Sequence, residues 1–208
     1  LFGEYFCKSP ADMLMYYKGG RISNDIARLA GARLVVCDEV QDGLKLDEAR
    51  VKNLTGGDSI TARFLYQELF TFQPTHKIIM FGNHRPIIRG TDEGIWRRVI
   101  LVPFNIEIPE KQRLPMGQVK NKLRSELPGI FNWALDGYRN YKNIGGLGIP
   151  PSVKDASSLY RSDSDTIGQF ISENCLQSTH LKIRCKILYD EYKAWCYENN
   201  EYATSYRA

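Results

Sequence analysis

The sequence has 208 residues and a mass of 23.9 kDa, with 43% hydrophobic and 25% charged residues. A chain of this length and composition can form one or two domains with a hydrophobic core, which argues against a disordered or fibrous protein. No apolar run approaches the roughly 20 residues that a membrane-spanning helix needs, so we expect no membrane partner. The net charge of +4 permits nucleic-acid binding but does not demonstrate it.

The cysteines are odd in number and scattered along the chain. None of them forms a CxxC pair, and the three histidines are not spaced with them as zinc ligands usually are. We therefore predict reduced thiols in a cytosol-like compartment. The five positions are Cys7, Cys37, Cys175, Cys185 and Cys196.

The first half of the chain alternates between predicted helices and predicted strands. Continuous apolar runs predict buried strands, and a run rich in Ile, Thr, Phe and Tyr predicts a β-hairpin with its tip at Gln67 and Glu68. In chain order, we predict a helix at 24–29, a strand at 33–37, a helix at 47–54, the hairpin at 59–72, and strands at 77–81 and 99–104. This order predicts an α/β layer with a largely parallel central sheet.

The second half is predominantly helical. Apolar residues from Val119 to Tyr138 fall at three- and four-residue steps, and Pro128 inside that stretch predicts the start of a new helix. Glycines at 145, 146 and 148 and two prolines at 150–151 predict a loop, where we place a boundary. The remaining expectations are helices at 152–161, from 166 and from about 185, with a short strand at 181–183. This helix–strand–helix pattern predicts a winged-helix-like module.

Two acids follow the first apolar run directly, at Asp38 and Glu39. Ligands of open α/β sheets bind beyond the carboxyl ends of the strands, where two carboxylates can hold Mg²⁺ and orient a water molecule. A solvated turn or a helix cap would place the same acids there. The pattern alone therefore leaves both interpretations open.

Asn83 follows the apolar run 77–81. A side-chain amide at that position can orient an attacking water or contact a phosphate. A turn before Pro86 would explain the same residue, so this interpretation also stays open.

Four arginines lie between residues 85 and 98: Arg85, Arg89, Arg97 and Arg98. A fixed guanidinium can neutralise charge on a transferring phosphoryl group. Surface ion pairs or a nucleic-acid patch are the alternatives.

The predicted hairpin carries Arg63, Tyr66 and Gln67 near its tip. A cation beside an aromatic ring suits contact with a phosphate backbone and stacking on bases. The alternative is that these three are ordinary core and edge residues of the hairpin with no role in binding.

Six short motifs occur in unbroken order, and together they resemble one family. They are Gly31-Ala-Arg-Leu-Val-Val-Cys-Asp-Glu39, Leu46-Asp-Glu-Ala49, Lys52–Arg63, Pro74-Thr-His-Lys77, Gly82-Asn-His-Arg-Pro86 and Arg89–Arg98. The set resembles the superfamily 3 helicase domain of phage and plasmid primase–helicases, a group that includes the poxvirus-type enzymes. The resemblance covers residues 1–104 and, less specifically, 127–134 and 160–195.

The resemblance implies a fold and an activity. It implies an AAA+-type P-loop ATPase core that uses ATP and Mg²⁺, assembles as a ring, usually a hexamer, and opens duplex DNA while moving on single-stranded DNA. Asp38 and Glu39 match the Walker B acids, which serve Mg²⁺ and the attacking water. Asn83 matches the sensor of the γ-phosphate, and Arg97 or Arg98 matches the arginine finger.

The resemblance also implies a DNA-contacting loop and a division of the chain. The motif starting at Lys52, with Arg63, Tyr66 and Gln67, matches the segment that projects toward DNA. Residues 1–104 would be the carboxyl-terminal part of the ATPase core, 105–149 a helical extension and 150–208 an incomplete helical, winged-helix-like domain. A bacterial host cytoplasm would be the compartment.

One expected element of such an ATPase is missing from the sequence. No GxxxxGK[ST] phosphate loop occurs, and neither Gly19-Gly20-Arg21 nor Gly56-Gly57-Asp58 supplies its lysine or spacing. In the resembling family this loop lies shortly before the segment that matches Leu1 to Phe6. We therefore expect the sequence to be a fragment of a longer primase–helicase that cannot hydrolyse ATP normally by itself.

Three functions remain as hypotheses. The first is an ATP-dependent replicative DNA helicase in partial form. The second is a non-catalytic DNA-binding or oligomerisation module of a replication protein. The third is a Mg²⁺-dependent nuclease using Asp38, Glu39 and neighbouring acids, which would need more clustered carboxylates than one pair.

Overall fold

The computed structural model describes residues 2–18, 24–38 and 40–206. The strands are β1 (Phe6–Pro10), β2 (Leu34–Asp38), β3 (Ile60–Ala62), β4 (Phe70–Phe72) and β5 (Lys77–Phe81). The helices are α1 (Asn24–Ala27), α2 (Glu48–Thr55), α3 (Glu93–Trp96), α4 (Met116–Ser125), α5 (Leu127–Ile144), α6 (Pro151–Ser164), α7 (Thr166–Asn174) and α8 (Cys185–Glu198). No described helix is long and apolar enough to cross a membrane.

A three-stranded parallel sheet organises the first half. Its order is β1–β2–β5, and in its register Val36 of β2 lies opposite Lys8 on one side and Ile79 on the other. The predicted α/β layer with a parallel centre is therefore confirmed. β1 was not predicted, because its sequence Phe-Cys-Lys-Ser-Pro has neither a continuous apolar run nor a clear alternation.

One face of this sheet builds the core and the other does not. Val35 and Cys37 are fully buried, whereas Ile79 and Phe81 on the opposite face are 52% and 55% exposed. The prediction of buried strands is therefore wrong for this second face. Parallel strands bury both faces only when helices cover both, and the described residues cover only the face that holds Val35.

Residues 99–104 are not a strand, which corrects the third predicted one. Val99 and Leu101 pack against the core, and the Leu101 N–H donates to Ser157 Oγ at 3.0 Å. Pro103 has no N–H for a strand ladder. Val99 and Leu101 are therefore partly buried against the core, although no described strand pairs with this segment.

The predicted hairpin is confirmed. β3 and β4 are antiparallel, and Thr61 lies opposite Thr71, with their hydroxyls 3.1 Å apart. This register places Tyr66 at the centre of the connecting loop, one residue before the predicted tip. Tyr66 has a left-handed backbone with φ of 61°.

The second half is helical, as predicted. α5 carries Pro128 in its first turn, and α7 begins after Asp165, whose carboxylate accepts a bond from the Gly168 N–H at 2.9 Å. The short strand predicted at 181–183 is wrong, because these residues lie in a non-helical, unpaired connection between α7 and α8. A winged-helix-like module is consequently not observed among residues 151–206, whose only regular elements are the helices α6, α7 and α8.

Burial differs sharply along the chain. No residue between 97 and 152 is buried, so α4 and α5 add nothing to the core. Burial resumes in α6, where Tyr160 joins the main cluster around the sheet. Phe170, Tyr192 and Cys196 form a second small cluster among α7 and α8. The domain boundaries near residues 104 and 150 stay predictions.

Candidate functional site

The carboxyl ends of two neighbouring strands carry the predicted polar residues. Asp38 is the last residue of β2 and pairs in register with Phe81, the last residue of β5. Asn83 follows two residues later and is exposed. Because parallel strands end at the same edge of a sheet, Asp38 and Asn83 both belong to this edge, where α/β folds bind ligands.

Lys8 engages the carboxylate of Asp38. Its Nζ lies 2.5 Å from Asp38 Oδ2, and the side chain of Asp38 is 25% exposed. The lysine stands on β1 opposite Val36, so the two charged side chains share the uncovered face of the sheet. Sequence reasoning missed Lys8, since only the strand register brings residues 30 positions apart together.

The described residues do not by themselves build a magnesium site. They contain no group of three or more His, Cys, Asp or Glu side chains that could hold a metal ion, and Asp38 is already paired with Lys8. Glu39, the second predicted acid, lies outside the described residues. Mg²⁺ binding therefore stays a prediction from the resemblance.

The loops after β2 and β5 meet at this edge. His84 Nδ1 lies 3.6 Å from Asp42 Oδ1, and Lys45 forms a parallel backbone bridge with Ile87. Glu48 at the start of α2 then accepts from the backbone N–H groups of Arg89 and Gly90, at 2.9 and 2.8 Å. These contacts hold the beginning of the arginine-bearing segment 85–98 against α2.

Lys52 of α2 and Asp92, the residue before α3, form an ion pair that joins the two helices. Lys52 Nζ lies 2.8 Å from Asp92 Oδ2, and the hydrogen bond from Lys52 holds the pKa of Asp92 below its usual value. Lys52 therefore lies against α3 in this structure. Its predicted contact with DNA remains a prediction.

Arg97 and Arg98 differ in their surroundings. Arg97 is exposed and has no side-chain partner among the described residues. Arg98 is half-buried, its Nη1 donates to the carbonyl oxygen of Gly94, and its buried Nε has no partner within the described part of the chain. The two neighbouring arginines thus face different environments.

The hairpin loop presents polar and aromatic groups to solvent. Tyr66 is 98% exposed, and Leu65 and Leu69 are 50% and 65% exposed. Arg63 and Gln67 are exposed in the same loop. An aromatic ring that is held out by a left-handed backbone can stack on a flat partner such as a base.

The described residues bring together three features: an acidic strand end, an amide at the neighbouring strand end and a fixed arginine-bearing segment. These features define the chain as an α/β protein with charged and amide groups at the carboxyl edge of its parallel sheet, the edge at which such folds bind ligands. The hairpin loop is a separate exposed surface.

Comparison with known proteins relates part of the chain to one sequence family. Residues 14–98 match a sequence family described as a family of unknown function, DUF5906. The matched range covers the sheet edge and the whole arginine-bearing segment.

The chain is also similar to large viral proteins. It is 29% identical over 195 residues to "Putative helicase L207/L206" of Acanthamoeba polyphaga mimivirus, covering 86% of the chain and 20% of that protein. It is 25% identical over 204 residues to "Putative helicase 022R" of Frog virus 3, covering 89% of the chain and 21% of that protein. "Putative primase C962R" of African swine fever virus, strain Badajoz 1971, is 24% identical over 165 residues, which are 73% of the chain and 17% of that protein.

The matches cover most of this chain but only a small share of each viral protein. The chain spans about a fifth of the length of the curated helicase relatives, while most of its own length is aligned. The similarity is consistent with a primase–helicase family and a role in DNA replication.

Proposed function

We propose that these residues are part of an ATP-driven helicase that acts in DNA replication. The observation that carries the proposal is the similarity of 86% and 89% of the chain to two viral proteins whose names say helicase. The sheet edge with Asp38 and Asn83 supports the proposal, because phosphate-handling α/β proteins bind their ligands at such an edge.

The roles of the site residues extend this proposal. Asp38 and Glu39 would hold Mg²⁺ and polarise the attacking water, and Asn83 would contact the γ-phosphate. Arg97 or Arg98 would neutralise charge on the transferring phosphoryl group, a contribution of roughly 10³ to 10⁵ in rate where it has been measured. When bound, Mg²⁺ would neutralise charge on the phosphates.

Superfamily 3 membership, an AAA+-type core and a ring of copies are the finer parts of the proposal. In a ring, an exposed arginine of one copy could reach the nucleotide of the next. The hairpin loop with Arg63, Tyr66 and Gln67 would contact single-stranded DNA, and Lys52 would contribute a further contact. A phage or plasmid replicon in a bacterial cytoplasm would be the setting.

ATP turnover and strand separation by the complete product of the gene that encodes these residues test the proposal. We expect turnover that single-stranded DNA stimulates, displacement of one strand from a forked duplex, and loss of both on Glu39→Gln. Glu110→Gln is the matched control, because Glu110 is exposed and remote from the sheet edge in sequence. A complete protein that binds DNA but neither hydrolyses ATP nor separates strands would refute the helicase proposal.

A non-catalytic DNA-binding or oligomerisation module is the second candidate. The observation in its favour is the exposed hairpin loop, in which Tyr66 is 98% exposed and Arg63 and Gln67 are exposed beside it. The same experiment separates the two candidates, since a module of this kind would bind DNA without turnover. We expect no MgATP hydrolysis by the 208-residue chain alone, because no segment of it supplies a phosphate cradle with its lysine.

A further inference from the structure

We propose that helix α6 is the positioning element that holds Arg97 ready for contact with a phosphate group. This inference rests on the proposed function, in which one of two neighbouring arginines acts on the phosphoryl group. It goes further by naming which arginine is available and which part of the chain fixes it.

The first step is the difference between the two arginines. Arg98 is tied to its own helix turn through the carbonyl oxygen of Gly94, and its Nε is buried. Arg97 is exposed and has no competing partner among the described residues. A guanidinium that must bind an incoming anion has to be accessible and uncommitted, and Arg97 meets both conditions.

The second step is the contact between α6 and the residue before Arg97. Trp96 and Tyr160 pack edge to face with ring centroids 5.4 Å apart, and both rings are buried. Trp96 also donates from Nε1 to the carbonyl oxygen of Gly90 at 2.8 Å. Because the indole is fixed on both sides, the backbone from which Arg97 departs has little freedom.

The third step is that α6 also holds both ends of the segment. Tyr160 Oη donates to the carbonyl oxygen of Pro86, and Ser157 Oγ accepts from the Leu101 N–H at 3.0 Å. Pro86 precedes Arg97 in the chain and Leu101 follows it. One helix therefore fixes the chain on either side of the arginine.

Charged contacts reinforce the same arrangement. Arg161 Nη2 lies 2.6 Å from Glu93 Oε1, and Arg85 Nη1 lies 3.6 Å from Asp163 Oδ2. Both pairs are solvent-exposed and contribute little stability. They bring Arg85 and Arg161 into ion pairs with acids, and the Arg89 guanidinium lies over the Tyr202 ring, 5.7 Å from its centroid. Arg97 has no such partner among the described residues.

Two conservative variants remove the α6 contacts without disturbing the packing. Ser157→Ala deletes the acceptor for the Leu101 N–H, and Tyr160→Phe deletes the bond to Pro86 while keeping the ring. Ser158→Ala and Tyr141→Phe are matched controls, because both side chains are exposed and make no hydrogen bond within the described residues.

Hydrogen–deuterium exchange of residues 95–104 in the 208-residue chain measures the positioning directly. We expect faster exchange in both α6 variants and unchanged exchange in both controls. Unchanged exchange in Ser157→Ala and Tyr160→Phe would overturn the inference. This measurement does not require ATP hydrolysis, so it tests the restraint by α6 separately from the proposed function.

Turnover by the complete protein measures the consequence. Arg97→Gln should lower kcat by roughly 10³-fold, and Arg98→Gln should lower it less. Each α6 variant should lower kcat about tenfold or more with KM for ATP unchanged, because a misplaced group loses transition-state contact. In an Arg97→Gln background the α6 variants should cause no further loss. Equal losses of kcat in the wild-type and Arg97→Gln backgrounds would overturn the inference. A complete protein whose ATP hydrolysis is unchanged by Arg97→Gln would also overturn it.

Discussion

At the scale of single residues, burial and pairing determine which groups keep their charge. Asp38 is ion-paired with Lys8, whereas burial raises the pKa of the Cys37 thiol to about 12, with Cys7 and Asp38 adding to the effect. Cys37 is therefore a neutral core thiol despite lying beside the sheet edge. His76 is the other buried titratable group of note, at 5% exposure.

His76 predicts a pH dependence of stability. Burial lowers its pKa, so the folded chain favours the neutral ring and its contribution is complete above the unfolded value of about 6.5. That contribution is lost as the pH falls through the lower, folded pKa, with a slope of at most about 1.4 kcal/mol per pH unit for one proton. In urea unfolding at pH 7, 6 and 5, His76→Leu should flatten the acid slope. His180→Leu, at an exposed position, should not, and an unchanged slope in His76→Leu would contradict the assignment.

At the scale of elements, the strands of the β3–β4 hairpin are anchored in the fold, whereas the loop that joins them is exposed to solvent. Ile60 and Ala62 are buried and anchor the hairpin to the core. The seven-residue loop beyond them carries Tyr66 at its centre, fully in solvent. Tyr66 therefore contributes little to the stability of the fold, which leaves its ring available for binding.

Tyr66→Ala tests the hairpin as a DNA contact. Stacking on a base contributes about 1–3 kcal/mol, so we expect the affinity of the 208-residue chain for single-stranded DNA to fall roughly 5- to 150-fold. Fluorescence anisotropy with a labelled oligonucleotide measures it. Tyr197→Ala removes an equally large ring that is 86% exposed on α8 and should leave binding unchanged. Equal affinities of the two variants would exclude stacking by Tyr66.

At the scale of the whole molecule, apolar surface is unevenly covered. The outer face of the parallel sheet exposes Ile79 and Phe81, and the segment before α4 exposes Phe104 and Ile106 at 93% and 92%. Monomeric proteins rarely expose large contiguous apolar patches. The 208-residue chain should consequently associate with itself when it is isolated in water.

Replacing two of these side chains tests that expectation. Phe104→Ser combined with Ile106→Ser should lower the fraction of associated chain in sedimentation velocity and reduce binding of a hydrophobic dye. The unfolding free energy should change by less than about 0.5 kcal/mol, because neither side chain is buried. Asn105→Ser is the control in the same segment, because its side chain is polar and exposed. Association that is insensitive to the Phe104 and Ile106 changes would place the contact elsewhere on the chain.

The sequence by itself determined the helices and strands wherever the periodicity of apolar side chains agrees with the capping and turn residues at their ends. The strand at 77–81, the helix after Asp47, the hairpin and the helix after Asp165 all follow from local patterns of burial, capping and turn formation. It also located Asp38 and Asn83 at strand ends. These are local properties, set by residues within a few positions of one another.

Only the tertiary structure decided how distant residues pair. It placed Lys8 on Asp38, it left residues 99–104 without a strand partner, and it separated Arg97 from Arg98 by tying only the second to Gly94. It also put Tyr160 of α6 against Trp96, across 64 positions of sequence. Such contacts depend on strand register and on which faces other elements cover, and neither is encoded in a local pattern of residues.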